Sequence, residues 1–406
     1  MTEPVLLRNV RLAVTPRGPL ERVDVLVEEG VVSEIGEGLD KGGLVLDCSR
    51  AAVVPGLSNA CVRLEALFLR GAAIEDVPER VGRELAYVSS LLGLYEMASA
   101  GIACFADTSR RYGEVAKAAS EIRLRGALAP PVSDGKSAAE VLQRLESELA
   151  SLPLEKAVSL ESTLVPDEEL AEVLERAADR GAKVLARASA SRREVFESKR
   201  RYGLFPVERL ERLGLLSELV VLLEVNWITS WEIEYVARRK SGVVYAPSSA
   251  MESGSDGFLP LVDMVEKGIA VALGTPNPRG PLDVLGEARL ALLLQKSGYQ
   301  REEISPALLF DCATRGGYEV MGVAGGLLEE GAPADLVVLD LASPGMPAAL
   351  RDFTSALVSL APRGCVRATL VGGDLVYERE DDELRAAMEE LVDRLRELVT
   401  ELEQRA

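Results

Sequence analysis

The chain has 406 residues, 48% of them hydrophobic and 27% charged, which is the balance of a globular protein with two or three domains or one large barrel. Its formal net charge is −19 and only 4% of its residues are aromatic, so nucleic-acid binding and base-stacking surfaces are disfavoured. The sequence contains no histidine, which excludes histidine-based triads, histidine metal ligands and histidine general bases from this chain.

The first segment, residues 1–55, is predicted to form short strands with turn residues between them. Residues 56–324 then alternate between short apolar strands and longer helices, which favours a parallel barrel or an open doubly wound sheet. The predicted strands are 5–14, 23–30, 31–38, 43–49, 102–106, 157–160, 183–186, 219–224, 242–245 and 269–274. The predicted helices include 79–100, 113–124, 137–150, 168–180 and 205–213.

The β pattern returns in residues 325–380, with strands predicted at 334–339 and 366–377 and a tight turn at 371–374. Residues 381–406 predict a charged amphipathic helix that packs on the body of the protein; a coiled coil with a partner is the alternative, which the small number of heptads disfavours. The apolar residues at helical spacing are Leu384, Met388, Leu391, Leu395 and Leu398.

The sequence gives no indication of export or membrane insertion. The start, MTEPVLLRNV, lacks the apolar core of a signal peptide, and no uncharged apolar run reaches the roughly 18 residues of a membrane span. The five cysteines are scattered without a CxxC pair, so neither a zinc ribbon nor a disulfide framework is indicated. Arginine outnumbers lysine and amides are few, which is typical either of a thermophile or of biased genomic base composition. We expect a cytoplasmic protein.

Several blocks of sequence follow one another in an order that resembles a known family. The blocks are LLRNVRL and DVLVEEGVVSEIG near the start, VVPGLSNACVRLEALFLRG (53–71), LYEMASAGIACFAD (94–107), SRREVFESKRRYGLFPVERLERLGLL (191–216), APSSAMESGS (246–255), VALGTPNP (271–278), and ATRGGYEVMGV with GLLEEGAPADLVVLD (313–340). Together they resemble the amidohydrolase superfamily, in the branch of adenosylhomocysteine deaminases, guanine deaminases and triazine chlorohydrolases. The resemblance implies a (β/α)8 TIM-type barrel with a composite β-sandwich domain from the N- and C-terminal segments.

The resemblance also implies a zinc or iron ion at the C-terminal end of the barrel, where the metal activates a water molecule. The family holds that ion with a His-x-His pair after strand 1, single histidines after strands 5 and 6, and an aspartate after strand 8. A further histidine, after strand 7, and a glutamate move protons. The matching positions here are Cys61, Arg63, Arg187, Ala190, Glu224, Tyr245 and Pro276. We therefore expect no bound metal or other cofactor.

The replacements change the charge of the expected pocket. A cationic arginine repels a divalent ion, and at an effective dielectric of about 20 a unit charge at 4 Å is worth roughly 4 kcal/mol. A three-ligand site built from Cys61, Glu224 and Tyr245 is the opposing possibility. The residues expected to line the pocket are Cys61, Arg63, Glu65, Arg187, Glu224, Tyr245 and Pro276.

Alternative roles remain open for these residues. Arg63, Arg187 and Glu224 would form an ion-pair network, or the two arginines would hold a carboxylate or phosphate ligand. Cys61 would be a nucleophile whose thiolate the arginines favour, or a small buried side chain. Two further carboxylates, Glu65 and Asp107, are expected near the barrel mouth. They would act as a general acid or base, or they would simply be solvated or paired with arginines.

These observations predict an amidohydrolase-like protein that is catalytically inactive or altered, with an anionic small molecule as its candidate ligand. The expected protein partner is a second copy of the chain or an active homologue, and neither nucleic acid nor a membrane is expected. The alternative is an active hydrolase of non-peptide carbon–nitrogen bonds, with an unusual or metal-free site that uses Cys61 and Glu224.

Overall fold

The N-terminal segment forms short strands in which apolar residues such as Leu7, Val25 and Val53 are buried between two sheets. The computed structural model describes residues 3–404 apart from 42, 75–80, 133–136, 151, 256, 302–303, 361 and 363. The strands of this segment are β1 (Val5–Val10), β2 (Leu12–Thr15), β3 (Gly18–Leu20), β4 (Val23–Glu28), β5 (Val31–Gly36), β6 (Leu44–Asp47) and β7 (Ala51–Pro55).

The barrel is a parallel sheet in which each strand pairs with the next along the chain. Its ends meet where the Thr275 N–H donates to the Cys61 carbonyl oxygen at 2.8 Å, and Asn59 Oδ1 lies 3.1 Å from the same N–H. This arrangement confirms the predicted TIM-type barrel. Its strands are β8 (Leu57–Val62), β9 (Ile102–Asp107), β10 (Arg125–Leu128), β11 (Leu154–Leu160), β12 (Lys183–Arg187), β13 (Val220–Leu223), β14 (Gly242–Tyr245) and β15 (Val271–Leu273).

Strands from the two ends of the chain share one sheet. After the barrel come β16 (Leu336–Asp340), β17 (Val366–Val371) and β18 (Asp374–Glu378), and β16 pairs antiparallel with β7. In the described residues the resulting strand order is β18-β17-β16-β7-β2-β3, and this sheet packs against β5-β4-β1-β6. The composite β-sandwich predicted by the resemblance is therefore confirmed, and the predicted 366–377 segment is a hairpin that turns at Gly372 and Gly373.

Helices cover the outside of the barrel and bury apolar faces against the strands. The predicted helix 79–100 is observed as α1, and residues 79 and 80 lie outside the described residues. No described helix combines the length and hydrophobicity that a bilayer crossing requires. The helices are α1 (Arg83–Ser99), α2 (Tyr112–Ile122), α3 (Ala138–Glu148), α4 (Asp167–Ala178), α5 (Arg192–Tyr202), α6 (Pro206–Arg212), α7 (Ser230–Arg239), α8 (Pro247–Glu252), α9 (Leu261–Glu266), α10 (Val284–Gly298), α11 (Pro306–Ala313), α12 (Arg315–Met321), α13 (Phe353–Leu360) and α14 (Asp382–Glu403).

The last helix, α14, packs on the body as predicted. Leu395, Leu398, Val399 and Leu402 contact a buried cluster formed by the short 3-10 helix Leu64–Leu69 and the start of α1. An apolar stripe on an otherwise charged helix thus finds its partner within the same chain.

Small residues fill the barrel interior. The inward positions of the strands carry residues such as Ala60, Ala106, Ala127, Ala157 and Ala272. Because these side chains are short and the carboxyl ends of parallel strands meet at one face, the upper end of the barrel is left open for a pocket.

Candidate functional site

The carboxyl ends of the barrel strands surround a cavity of about 360 Å³. Five of the seven residues predicted for the pocket lie in its wall, at the carboxyl ends of four strands (β8, β12, β13 and β15) or in the loops that follow them. They are Cys61, Arg63, Arg187, Glu224 and Pro276.

An ion pair dominates one side of the cavity. Arg187 Nε donates to Glu224 Oε2 at 2.6 Å, and Ser249 Oγ donates to Glu224 Oε1 at 3.1 Å. Glu224 has a positive φ of 56°, so the chain leaves β13 in the left-handed region directly after Leu223. Both carboxylate oxygens of Glu224 are therefore engaged by this pair and by α8.

Arg63 directly follows β8, the first strand of the barrel. Its side chain is half-buried and lines the cavity. Within the described part of the chain, no hydrogen bond or ion pair occupies its guanidinium group. One positive charge in the wall of the cavity thus remains available.

Cys61 is a buried thiol rather than a thiolate. Burial raises the pKa of Cys61 to about 12, the carboxylates of Glu224 and Asp107 add to the rise, and Arg63 opposes it. The neighbouring strand approaches closely, because a Cβ added to Gly274 would lie 3.0 Å from the Cβ of Cys61. A thiol with so high a pKa is almost entirely protonated at neutral pH and is therefore a poor nucleophile.

The placement of Tyr245 in the pocket is corrected by the structure. Successive side chains of a strand point to opposite faces, and on β14 the neighbouring Val244 points into the barrel. Tyr245 therefore points outward into the layer between strands and helices, where it is 1% exposed. Burial raises the pKa of its phenol well above the usual range.

The placement of Glu65 in the pocket is corrected as well. Its carboxylate is buried and accepts the backbone N–H groups of Arg110 and Arg111, both at 2.9 Å. Asp107 is equally buried and accepts the N–H of Leu64 at 2.8 Å and that of Ser109 at 2.9 Å. Both carboxylates hold the loops of the barrel mouth together and do not line the cavity.

Polar residues that the sequence analysis did not single out complete the wall. The most informative is Ser159, near the end of β11, which is 3% exposed and whose Oγ has no hydrogen-bond partner among the described residues. It lies two residues after the inward-facing Ala157 and therefore faces the barrel interior. A serine two residues after an inward-facing alanine, near the carboxyl end of a barrel strand, was the available signal. The other polar residues are Thr108, Glu161, Ser249 and Ser253.

The side chains present do not fit the family's metal ion. Arg63 and Arg187 place positive charge in the cavity wall, Glu224 is bound to Arg187, and the side chain of Pro276 has no donor atom. In the part of the chain that the structure describes, no three His, Cys, Asp or Glu side chains are grouped so that they could hold a metal ion.

Comparisons with known proteins agree with this architecture. Residues 52–376 match the model of the Amidohydrolase family. The 5-methylthioadenosine/S-adenosylhomocysteine deaminase of Pyrococcus furiosus is 30% identical, over 92% of this chain and 94% of that protein. A zinc-bound adenosine deaminase from Xanthomonas campestris superposes with a TM-score of 0.86 at 23% identity, covering 97% of this chain and 98% of that one. Atrazine chlorohydrolase from Arthrobacter aurescens TC1, solved with zinc, gives a TM-score of 0.82 at 20% identity, covering 97% and 100%.

Proposed function

The chain belongs to the amidohydrolase family, and from that premise we propose that it binds a small molecule in its barrel cavity without metal-dependent hydrolysis. The observation that carries the proposal is the Arg187–Glu224 ion pair at 2.6 Å, formed by residues at two positions where the family resemblance requires metal ligands. A carboxylate already neutralised by a guanidinium is a poor ligand, and the guanidinium itself repels a cation.

The relatives of this chain include deaminases, and removal of an amino group by water needs an activated nucleophile. A metal ion supplies it where one is bound, by lowering the pKa of its water. The chain has no histidine to serve as a base in place of a metal. The remaining candidate nucleophile, Cys61, is held as a thiol by its burial. These features favour ligand binding over catalysis.

The alternative function is hydrolysis of a carbon–nitrogen bond by Cys61 with Glu224 as its base. Glu224 would have to leave Arg187 and Ser249 before it could accept the thiol proton. The raised pKa of Cys61 also opposes thiolate formation. No contact in the cavity wall favours this chemistry over binding.

Metal content and activity of the tag-free protein test the proposal together. We expect far less than one zinc or iron per chain by elemental analysis after incubation with either ion, and no deamination of 5-methylthioadenosine or S-adenosylhomocysteine. The Pyrococcus furiosus deaminase, handled identically, is the positive control. One metal ion per chain with measurable turnover would contradict the proposal.

A variant sharpens the same test. Arg187→Ala removes one repelling charge and frees Glu224. We still expect neither metal uptake nor activity, because Arg63 still repels a cation and Cys61 and Pro276 do not replace the family's histidine and aspartate ligands. Deamination by this variant would show that Arg187 alone blocks a competent site.

A further inference from the structure

We propose that the barrel cavity holds the anionic head of a small organic molecule, a carboxylate or phosphate, between the Arg63 guanidinium and the Ser159 hydroxyl. This inference rests on the proposed function and deepens it, since it assigns the ligand class and separates the roles of the two arginines. Arg63 binds the ligand, whereas Arg187 is committed to Glu224.

The first observation is the charge balance of the cavity wall. Arg187 is paired with Glu224 at 2.6 Å, and Glu161 is paired with Arg110 at 3.4 Å. Arg63 is the wall cation that no carboxylate neutralises within the described residues. A partly buried guanidinium without a counter-charge favours a ligand that brings one negative charge.

The second observation is independent of charge. Ser159 Oγ is buried and unpartnered in the described structure, although it belongs to an inward-facing side chain in the cavity wall. A buried hydroxyl without a partner is destabilising, and most such groups in proteins are hydrogen-bonded. A ligand oxygen in the cavity would accept a hydrogen bond from this hydroxyl and so give it a partner.

The third observation is the size and lining of the cavity. A volume of about 360 Å³ is near the lower end of the roughly 300–1,000 Å³ typical of small-molecule sites. Leu160, Leu223, Val244 and Ala246 contribute apolar surface beside the polar groups. The ligand is therefore compact, with one anionic head and an apolar body.

Three probes that share a body and differ in the head group test this assignment. Benzoate carries a carboxylate, phenyl phosphate a phosphate, and benzamide a neutral head of nearly the same shape as benzoate. Binding is measured by saturation-transfer NMR and by titration calorimetry on the full chain. We expect at least one anionic probe to bind about tenfold or more tightly than benzamide, because charge-assisted hydrogen bonds are the stronger ones. The tighter of the two anions identifies the head group.

Variants connect that binding to the named residues. Arg63→Gln should weaken the anionic probe by about tenfold or more, Arg63→Lys should restore part of the loss, and Ser159→Ala should weaken it by roughly threefold to tenfold. Arg193→Gln, which removes the same charge from the exposed face of α5, is the matched control and should leave binding unchanged. Circular dichroism and thermal melting verify that each variant folds.

Two results would overturn the inference: benzamide binding as tightly as both anions, or Arg63→Gln binding the anionic probe as the parent does. Neither result touches the proposed absence of metal-dependent hydrolysis, which metal analysis and the deaminase assay decide separately. Conversely, a zinc-loaded active enzyme would contradict the proposed function whatever the probes show.

Discussion

At the scale of single residues, the side chains of the cavity wall differ in whether their charged or polar groups already have a partner within the protein. Both carboxylate oxygens of Glu224 already accept hydrogen bonds from Arg187 and Ser249, and the side chain of Pro276 has no polar atom. Arg63 and Ser159 differ from them because their polar groups are unpartnered among the described residues. We therefore expect ligand binding in this cavity to depend on Arg63 and Ser159 more than on Glu224 and Pro276.

A prediction about Cys61 tests whether its side chain is an unreactive thiol or a nucleophilic thiolate. With the pKa of Cys61 raised to about 12, its thiolate fraction at about pH 8 is on the order of 10⁻⁴. We expect no alkylation of Cys61 by iodoacetamide in the native protein over an hour, measured by peptide mass spectrometry. The same chain in denaturant is the control, in which all five cysteines should react. Rapid, selective labelling of native Cys61 would revive the hydrolase alternative.

The sequence predicted which residues lie at the barrel mouth better than it predicted the direction in which their side chains point. The family resemblance placed Cys61, Arg63 and Arg187 at the barrel mouth because order along a barrel fixes which strand ends meet there. Tyr245 was misplaced because a one-residue offset on a strand exchanges the inner for the outer face. The sequence shows that Ser159 is a polar residue near the carboxyl end of a strand. It does not show that its hydroxyl lacks a partner among the described residues, which is what makes Ser159 informative.

At the scale of elements, two loops of the barrel mouth are joined by reciprocal hydrogen bonds. Asp107 ends β9 and accepts the N–H of Leu64, which follows Arg63. Ser109 Oγ donates to Asp107 at 3.0 Å and accepts the N–H of Glu65 at 3.2 Å. The loop that carries Arg63 is thus fixed to the next strand of the barrel.

The titration of Asp107 makes this joint sensitive to pH. Burial raises the pKa of Asp107 to about 7, although the hydrogen bonds from Leu64 and Ser109 oppose the rise. Between about pH 4 and 7, Asp107 is protonated in the folded state, whereas in the unfolded chain it has already lost its proton at its ordinary pKa of 3.8. The free energy of unfolding therefore falls as the pH rises through this range. The difference corresponds to at most about 4 kcal/mol in the free energy of unfolding.

Urea unfolding across that pH range measures the effect. Asp107→Asn should lower the stability at acidic pH, because an NH2 donor replaces one of the two oxygens that accept backbone N–H groups. It should also flatten the decline between about pH 4 and 7. Exposed Asp393→Asn, on α14, is a matched control whose profile should follow the parent. An Asp107→Asn profile as steep as that of the parent would assign the slope to other groups, such as Glu287, whose pKa burial also raises to about 7.

Element prediction failed where the local pattern was weak. β10 is only Arg125–Leu128, and its sequence RGAL contains a glycine, an alanine and no β-branched residue. It is a strand because β9 and β11 pair with it on both sides, a tertiary effect. The glycine is itself required, because a Cβ at Gly126 would lie 1.9 Å from the carbonyl oxygen of Phe105.

At the scale of the whole molecule, an ion pair between a partly buried arginine and a buried aspartate joins the barrel to the sandwich. Arg125 opens β10 in the barrel, and its guanidinium lies 3.0 Å from Asp335, which directly precedes β16. Asp335 also accepts the N–H of Gly372 at 2.7 Å, in the turn between β17 and β18. Burial raises the pKa of Asp335, and Arg125 opposes that rise.

Removing the cation should therefore leave a buried carboxylate uncompensated. Arg125→Met is expected to cost about 3–5 kcal/mol at about pH 8, and less at about pH 5, where the carboxyl more readily takes a proton. Arg123→Gln, whose exposed pair with Asp374 spans 3.3 Å, is the control and should cost under about 1 kcal/mol. Urea unfolding at both pH values, with Asp335→Asn added to Arg125→Met, measures the coupling. The charge explanation would be wrong if Arg125→Met lost the same stability at both pH values and Asp335→Asn restored none of it. Arg125 would then stabilise the fold through the packing of its aliphatic side-chain atoms.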